Sequence, residues 1–192
     1  MVLERILASS LLFVAVLFSM GSTATAATLN VVGGQLLGAS GVIVDGSSYN
    51  VEFLDDSCIA LYAGCDDVSD FTFQSSSAAG LAAQALLDQV FLDGPDLFDT
   101  DPELTAGCSL TSFCNAVTPY IVTGGFVDAF VASNFSGSDS TIDVDNWAIP
   151  SDSLNDNVGS VYAVWSPVPE PGTAVLMGLG LVALSVRKRQ EV

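Results

Sequence analysis

The chain has 192 residues, with 22 acidic and 4 basic side chains, no histidine and a formal net charge of -18. That length allows one or at most two domains. Without histidine there is no Ser-His or Cys-His nucleophile pair, no histidine base and no histidine metal ligand. The charge excludes a nucleic-acid partner, which requires clustered Lys and Arg.

The start reads as a signal peptide over residues 1–26. Arg5 and the free amine form a weakly positive region, and an apolar run follows over 6–20 before Gly21 breaks it. Ala24-Thr25-Ala26 then supplies the small-x-small site of signal peptidase, with cleavage expected after Ala26 or one residue later. The run is short for a membrane span of ~20 residues.

Residues 27–166 form the expected exported domain. Apart from Glu4, Glu170 and Glu191, every acid of the chain lies there, and residues 28–166 contain no Lys or Arg. The domain is expected to be mainly β, an antiparallel sheet or sandwich, with one α-helix near 76–92. Strand-like runs occupy 29–37 and 41–44, and Asp45-Gly46 signals a hairpin turn. Tyr49-Asn50-Val51-Glu52-Phe53 alternates apolar and polar residues, as a half-buried strand does. Further strands are expected at 120–123, 126–132, 141–147 and 158–165. The segment 78–92 is Ala- and Leu-rich, with Ser75 to Ser77 available to cap it and Gly94-Pro95 to stop it. Ala79, Ala83, Leu86 and Val90 share one helical face, while Gln84 and Asp88 share another.

Cys58, Cys65, Cys108 and Cys114 allow three pairings, and in an oxidising compartment an even count reads as disulfides. Cys58–Cys65 and Cys108–Cys114 are preferred because each pair brackets a short turn. The spacings are wider than those of zinc sites.

The densest polar cluster runs over 93–103 and contains five carboxylates. Asp99, Asp101 and Glu103 alternate and are candidate calcium ligands, although Leu104 stands where an EF-hand needs its turn glycine. Asp139, Asp143 and Asp145 read as the wet side of a sheet. Asp66, Asp67 and Asp70 form a third group. With no positive side chain to offset them, calcium at millimolar concentration is expected to stabilise the fold.

Enzymatic function is not expected. A carboxylate pair could in principle hydrolyse a glycoside, but no Lys, Arg or His is available to stabilise an oxyanion. Tyr49, Tyr62, Tyr120, Trp147 and Trp165 offer rings for stacking on sugars, the basis of an alternative reading as a calcium-assisted carbohydrate-binding or adhesion module. Asn134-Phe135-Ser136 matches a glycosylation sequon.

The C-terminal region, 167–192, has three parts: Pro167 to Gly172, an apolar segment over 173–186, and Arg187-Lys188-Arg189. The apolar part would extend ~21 Å as a helix, short of the ~30 Å hydrocarbon core, so it makes a short transmembrane helix. The basic cluster marks the cytoplasmic side. Residues 166–172 would tether the domain within ~25 Å of the membrane.

Pro169-Glu170-Pro171, the apolar run and the basic stop together resemble the PEP-CTERM sorting signal of Gram-negative bacteria. The resemblance covers about the last 25 residues. It implies recognition by an exosortase-type membrane protease, membrane anchoring until processing near Pro-Glu-Pro, and delivery to the cell surface or extracellular polymer. It also implies a surface or matrix protein associated with exopolysaccharide or biofilm. It implies no activity for the domain in between.

Overall fold

The computed structural model describes residues 26–148 and 158–169, with 145–148 described as backbone only. Residues 1–25, which hold Ala24, and residues 170–192, which hold the expected transmembrane helix, lie outside this description. Among the described residues no helix is long and apolar enough to cross a membrane.

Seven strands form one sheet: β1 (Thr28–Val32), β2 (Gln35–Val44), β3 (Ser47–Leu54), β4 (Phe113–Thr123), β5 (Phe126–Phe135), β6 (Ser140–Ala148) and β7 (Ser160–Pro167). Their spatial order is β1-β2-β3-β7-β4-β5-β6. Among the described residues two helices of α type occur, the one-turn α1 (Cys58–Leu61) and α2 (Ser76–Gln89). The expected antiparallel sheet or sandwich is therefore corrected to a single mixed sheet. The reason is β7, which pairs antiparallel with β3 but parallel with β4.

Three hairpins follow from local chemistry. Gly33-Gly34, Asp45-Gly46 and Gly124-Gly125 each place two consecutive residues at positive φ, the requirement of the type I′ turn that matches strand twist. Gly33-Gly34 therefore ends β1, and the expected run 29–37 is two strands. β4 begins at Phe113, seven residues before the expected start, because Pro119 looks like a strand breaker in sequence. The proline does interrupt pairing: the ladder with β7 ends at Val117↔Tyr162, and the ladder with β5 shifts register just after Pro119.

The helix α2 starts where the Ser75 hydroxyl accepts the Ala78 N–H at 3.3 Å. It ends at Gln89, three residues short of the expected end. Ala79, Ala82, Ala83 and Leu86 are fully buried. These small residues let the helix lie close on the sheet. Gly80 continues the pattern, since a Cβ there would sit 3.1 Å from the Phe130 ring. The helix touches β2 as well as β4, β5 and β6. One helix thus covers strands from both halves of the sheet.

Alternate residues of the central strands feed two separate cores. Val161, Ala163 and Trp165 join the α2 side, while Tyr162 joins Cys58, Cys65, Phe71 and Val117 on the other. The chain passes from one face to the other beside the fork where β7 and β4 separate. Thr72 marks that point, its hydroxyl donating to the Trp165 carbonyl at 2.7 Å. Phe71 lies in one core and Phe73 in the other.

Candidate functional site

The C-terminal segment leaves the fold from its interior. β7 is a central strand, and its pairing holds to the last residue, Pro167, opposite Tyr49. The Val168 N–H then donates to the Ser48 carbonyl at 2.9 Å. Four residues, 169–172, then precede the apolar run, and four residues reach at most ~14 Å. The expected tether of ~25 Å is thus shortened by pairing. Pro169 is the last described residue; Glu170, Pro171, Arg187, Lys188 and Arg189 lie outside the description. At the other end, Ala26 is exposed and stands two residues ahead of β1.

The four cysteines are paired as Cys58–Cys65 and Cys108–Cys114, with Cα separations of 5.7 and 5.8 Å. All four are buried. The first bridge staples α1 to the loop that covers one face of the sheet. The second ties the loop before β4 to that strand.

The acidic loop over 93–103 is organised by Asp93. Its carboxylate accepts the Asp99 N–H at 3.0 Å, the Thr100 N–H at 3.1 Å and the Thr100 hydroxyl at 2.6 Å. The Thr100 bonds, hydroxyl first, hold this carboxyl below the usual carboxylate range. The three candidate calcium ligands, Asp99, Asp101 and Glu103, are separated in role. Asp99 lies near Asp139, whose carboxyl is pushed up by burial and further by that like charge, against the opposing Phe135 N–H bond. Asp101 and Glu103 flank the start of a 3-10 turn, Pro102–Leu104. Among the described residues no group of three or more carboxylates or cysteines is arranged to hold a metal ion.

Asp143 is exposed, as expected for the wet side of the sheet, yet its carboxylate is engaged. It lies on β6 opposite Phe130, and it accepts the Ser76 hydroxyl at 2.6 Å and the Tyr120 hydroxyl at 3.0 Å. It thereby ties the first turn of α2 to the sheet. Desolvation, then the Asp143 carboxylate, push the Tyr120 phenol up to about 12. Asp70 is likewise structural: it accepts the Asp66 and Asp67 N–H groups, and Asp67 caps the Val68–Asp70 turn. Ser69 bonds, backbone first, hold Asp67 below its usual range.

The rings considered for sugar stacking are largely committed to packing. Tyr120 and Trp165 are buried, Tyr49 lies 5.0 Å from Phe73, and Tyr62 lies 5.1 Å from Phe71. Trp147 has no described side chain. The crevice between Tyr62, Thr72, Pro119 and Trp165 is too narrow to admit a water molecule. Asn134 is fully buried and donates to the Phe98 carbonyl at 2.7 Å, so the folded domain offers no glycan acceptor at that sequon.

Sequence reading missed the structural work of Asp93 and Asp143. Asp93 had a local signal, because an aspartate before Gly-Pro favours loop-closing bonds to nearby amides. Asp143 had none, since Ser76 and Tyr120 reach it only through the fold.

Residues 167–190 match the family profile described as the PEP-CTERM protein-sorting motif. No curated protein and no solved structure matches the chain. The chain thus carries at its C-terminal end a motif that is read by sorting machinery, and the first matched residue is the last residue of β7.

Proposed function

We propose that this is an exported, non-enzymatic protein of the cell surface or extracellular matrix, sorted by an exosortase-type membrane protease and associated with exopolysaccharide. The sorting motif over 167–190 carries the reading. Two features support a non-enzymatic role. The domain has no Lys, Arg or His over residues 28–166 with which to stabilise a developing anion. Several of its carboxylates, notably Asp93, Asp67 and Asp143, are engaged in closing loops and capping helices.

The short tether adds a physical constraint. Before processing, the folded domain stands against the outer membrane–water boundary, and a protease must reach the motif within ~14 Å of β7. Cleavage before Val168 would remove residues that pair with β3. The processed end is therefore expected at or beyond Pro169.

The test is the intact mass of the protein recovered from its native host, from membrane and extracellular fractions. A C-terminus between 169 and 172 in the extracellular fraction supports sorting and release. A mass running to Val192, found only in membranes, overturns the proposal.

A further inference from the structure

The two edges of the sheet differ sharply. Natural edges are blunted by charges, proline or bulges, because an open row of N–H and C=O groups is a template for another strand. β6 uses two of these devices. It carries Asp143 and Asp145, and its ladder with β5 shifts register between Val127 and Ala129, where three β6 residues face one.

β1 uses none of them. Its sequence is Thr-Leu-Asn-Val-Val, without charge or proline. The irregularity of its ladder, between Asn30 and Val31, places the extra residue on β2, so β1 itself stays regular. No described strand pairs with its outer side. Val31 is 36% exposed and Val32 60%. The absence of charge extends through the whole hairpin: after Arg5 the next charged side chain is Asp45.

We infer that the outer edge of β1 is a self-association site, at which a second copy of the chain adds its own β1 antiparallel across a two-fold axis. The charge distribution selects this occupant. Elsewhere the domain presents only negative side chains, so copies repel one another. At the β1–β2 hairpin two copies can meet without opposing like charges. Two-fold symmetry runs identical strands antiparallel and closes the contact at a dimer. The two sheets then become one continuous sheet, with Val31 and Val32 covered by their counterparts.

The test is sedimentation equilibrium of the protein purified from its host, compared with a Val31→Asp, Val32→Asp double variant and an Ile142→Asp variant on β6. Val31, Val32 and Ile142 are all exposed, so the fold should tolerate the changes. Facing carboxylates across the two-fold should weaken association roughly 100-fold. The native protein should be a dimer that tightens with added sodium chloride, as screening reduces repulsion. The double variant should be monomeric with an unchanged circular dichroism spectrum and a thermal midpoint that no longer depends on protein concentration, and Ile142→Asp should remain dimeric. Hydrogen exchange on the native protein gives a readout without mutation: β1 amides should lose protection on dilution. A native monomer at every concentration and salt overturns the inference, as does a double variant that still dimerises, loss of the dimer in Ile142→Asp, or assembly beyond a dimer.

Discussion

Replacing Gln89 with methionine should cost the domain about 2 kcal/mol of stability. Gln89 is the last residue of α2, and its amide pairs with the backbone of one β2 residue. The Ile43 N–H donates to Oε1 at 2.9 Å, and Nε2 donates to the Ile43 carbonyl at 2.8 Å. β1 reaches along β2 only as far as Ser40, so Gln89 occupies the place that a longer β1 would fill. Each bond is worth about 1 kcal/mol net, and methionine matches glutamine closely in size and helix propensity. The lost bonds should therefore dominate. In a domain of this size a 2 kcal/mol loss lowers the melting temperature by about 4–8 °C. Urea unfolding should show a lower midpoint at unchanged slope, and the Ile43 amide should exchange faster. A loss below about 0.5 kcal/mol, with Ile43 protection intact, would refute the reasoning that the helix end holds this part of the sheet.

Three further outcomes are expected. Gly80→Ala should bring none of the ~1 kcal/mol that alanine usually adds in a helix, because its Cβ meets Phe130 at 3.1 Å; Gly80→Leu should lose about 2 kcal/mol by overpacking, and a stabilised leucine variant in thermal melts would contradict this. Stability should rise as pH falls from neutral toward the carboxylate range, because the raised pKa values of Asp55 and Asp139 make the folded state bind protons first; it should fall again at lower pH, where Asp93 and Asp67, held low in the fold, must protonate. At the alkaline end, Tyr120 and Tyr62 keep their protons in the folded state above the ordinary phenol range, so stability should decline from about pH 10 upward; a flat profile across these windows, followed by circular dichroism, would count against the assigned environments. Among the described residues no carboxylate group is arranged to hold an ion, so calcium is expected to raise the melting temperature no more than magnesium at matched ionic strength; a calcium-specific rise would place a carboxylate site in the domain.

Much of the local structure was legible in the sequence because its causes are local. Ser75 caps α2, the Ala/Leu face from Ala79 to Val90 is the buried face, and Asp45-Gly46 makes its turn. The cysteine pairing closes loops of short separation, so proximity in sequence was a fair guide. The long-range order was not legible. Nothing in Val161-Tyr162-Ala163 says that it pairs with both β3 and β4, or that one partnership is parallel. Residues 113–119 hid a strand because Pro119 looks like punctuation, whereas in the fold it sits within β4, past the end of the β7 ladder and at a register shift with β5. The roles of the acidic residues were hidden for a related reason. Carboxylates grouped in sequence suggested a shared ion, yet the fold commits Asp93 to its own loop, sends Asp143 to the helix start and leaves Asp99 near Asp139.

The central position of β7 has a consequence for the order of assembly. Without it, the strands form two separate antiparallel meanders, β1-β2-β3 and β4-β5-β6, and the last described strand is the one that joins them. A chain that emerges N-terminus first, whether from a ribosome or an export channel, therefore carries two unjoined halves until residue 167 is clear. The α2 helix can pack on either half beforehand, but its full cradle exists only once β7 has slotted in. Completion of the sheet must therefore wait until β7 is clear, and the strand that completes it ends at the first residue of the sorting motif. Closure of the sheet thus acts as a length gauge: it requires the last strand, at whose final residue the sorting motif begins, to have come through.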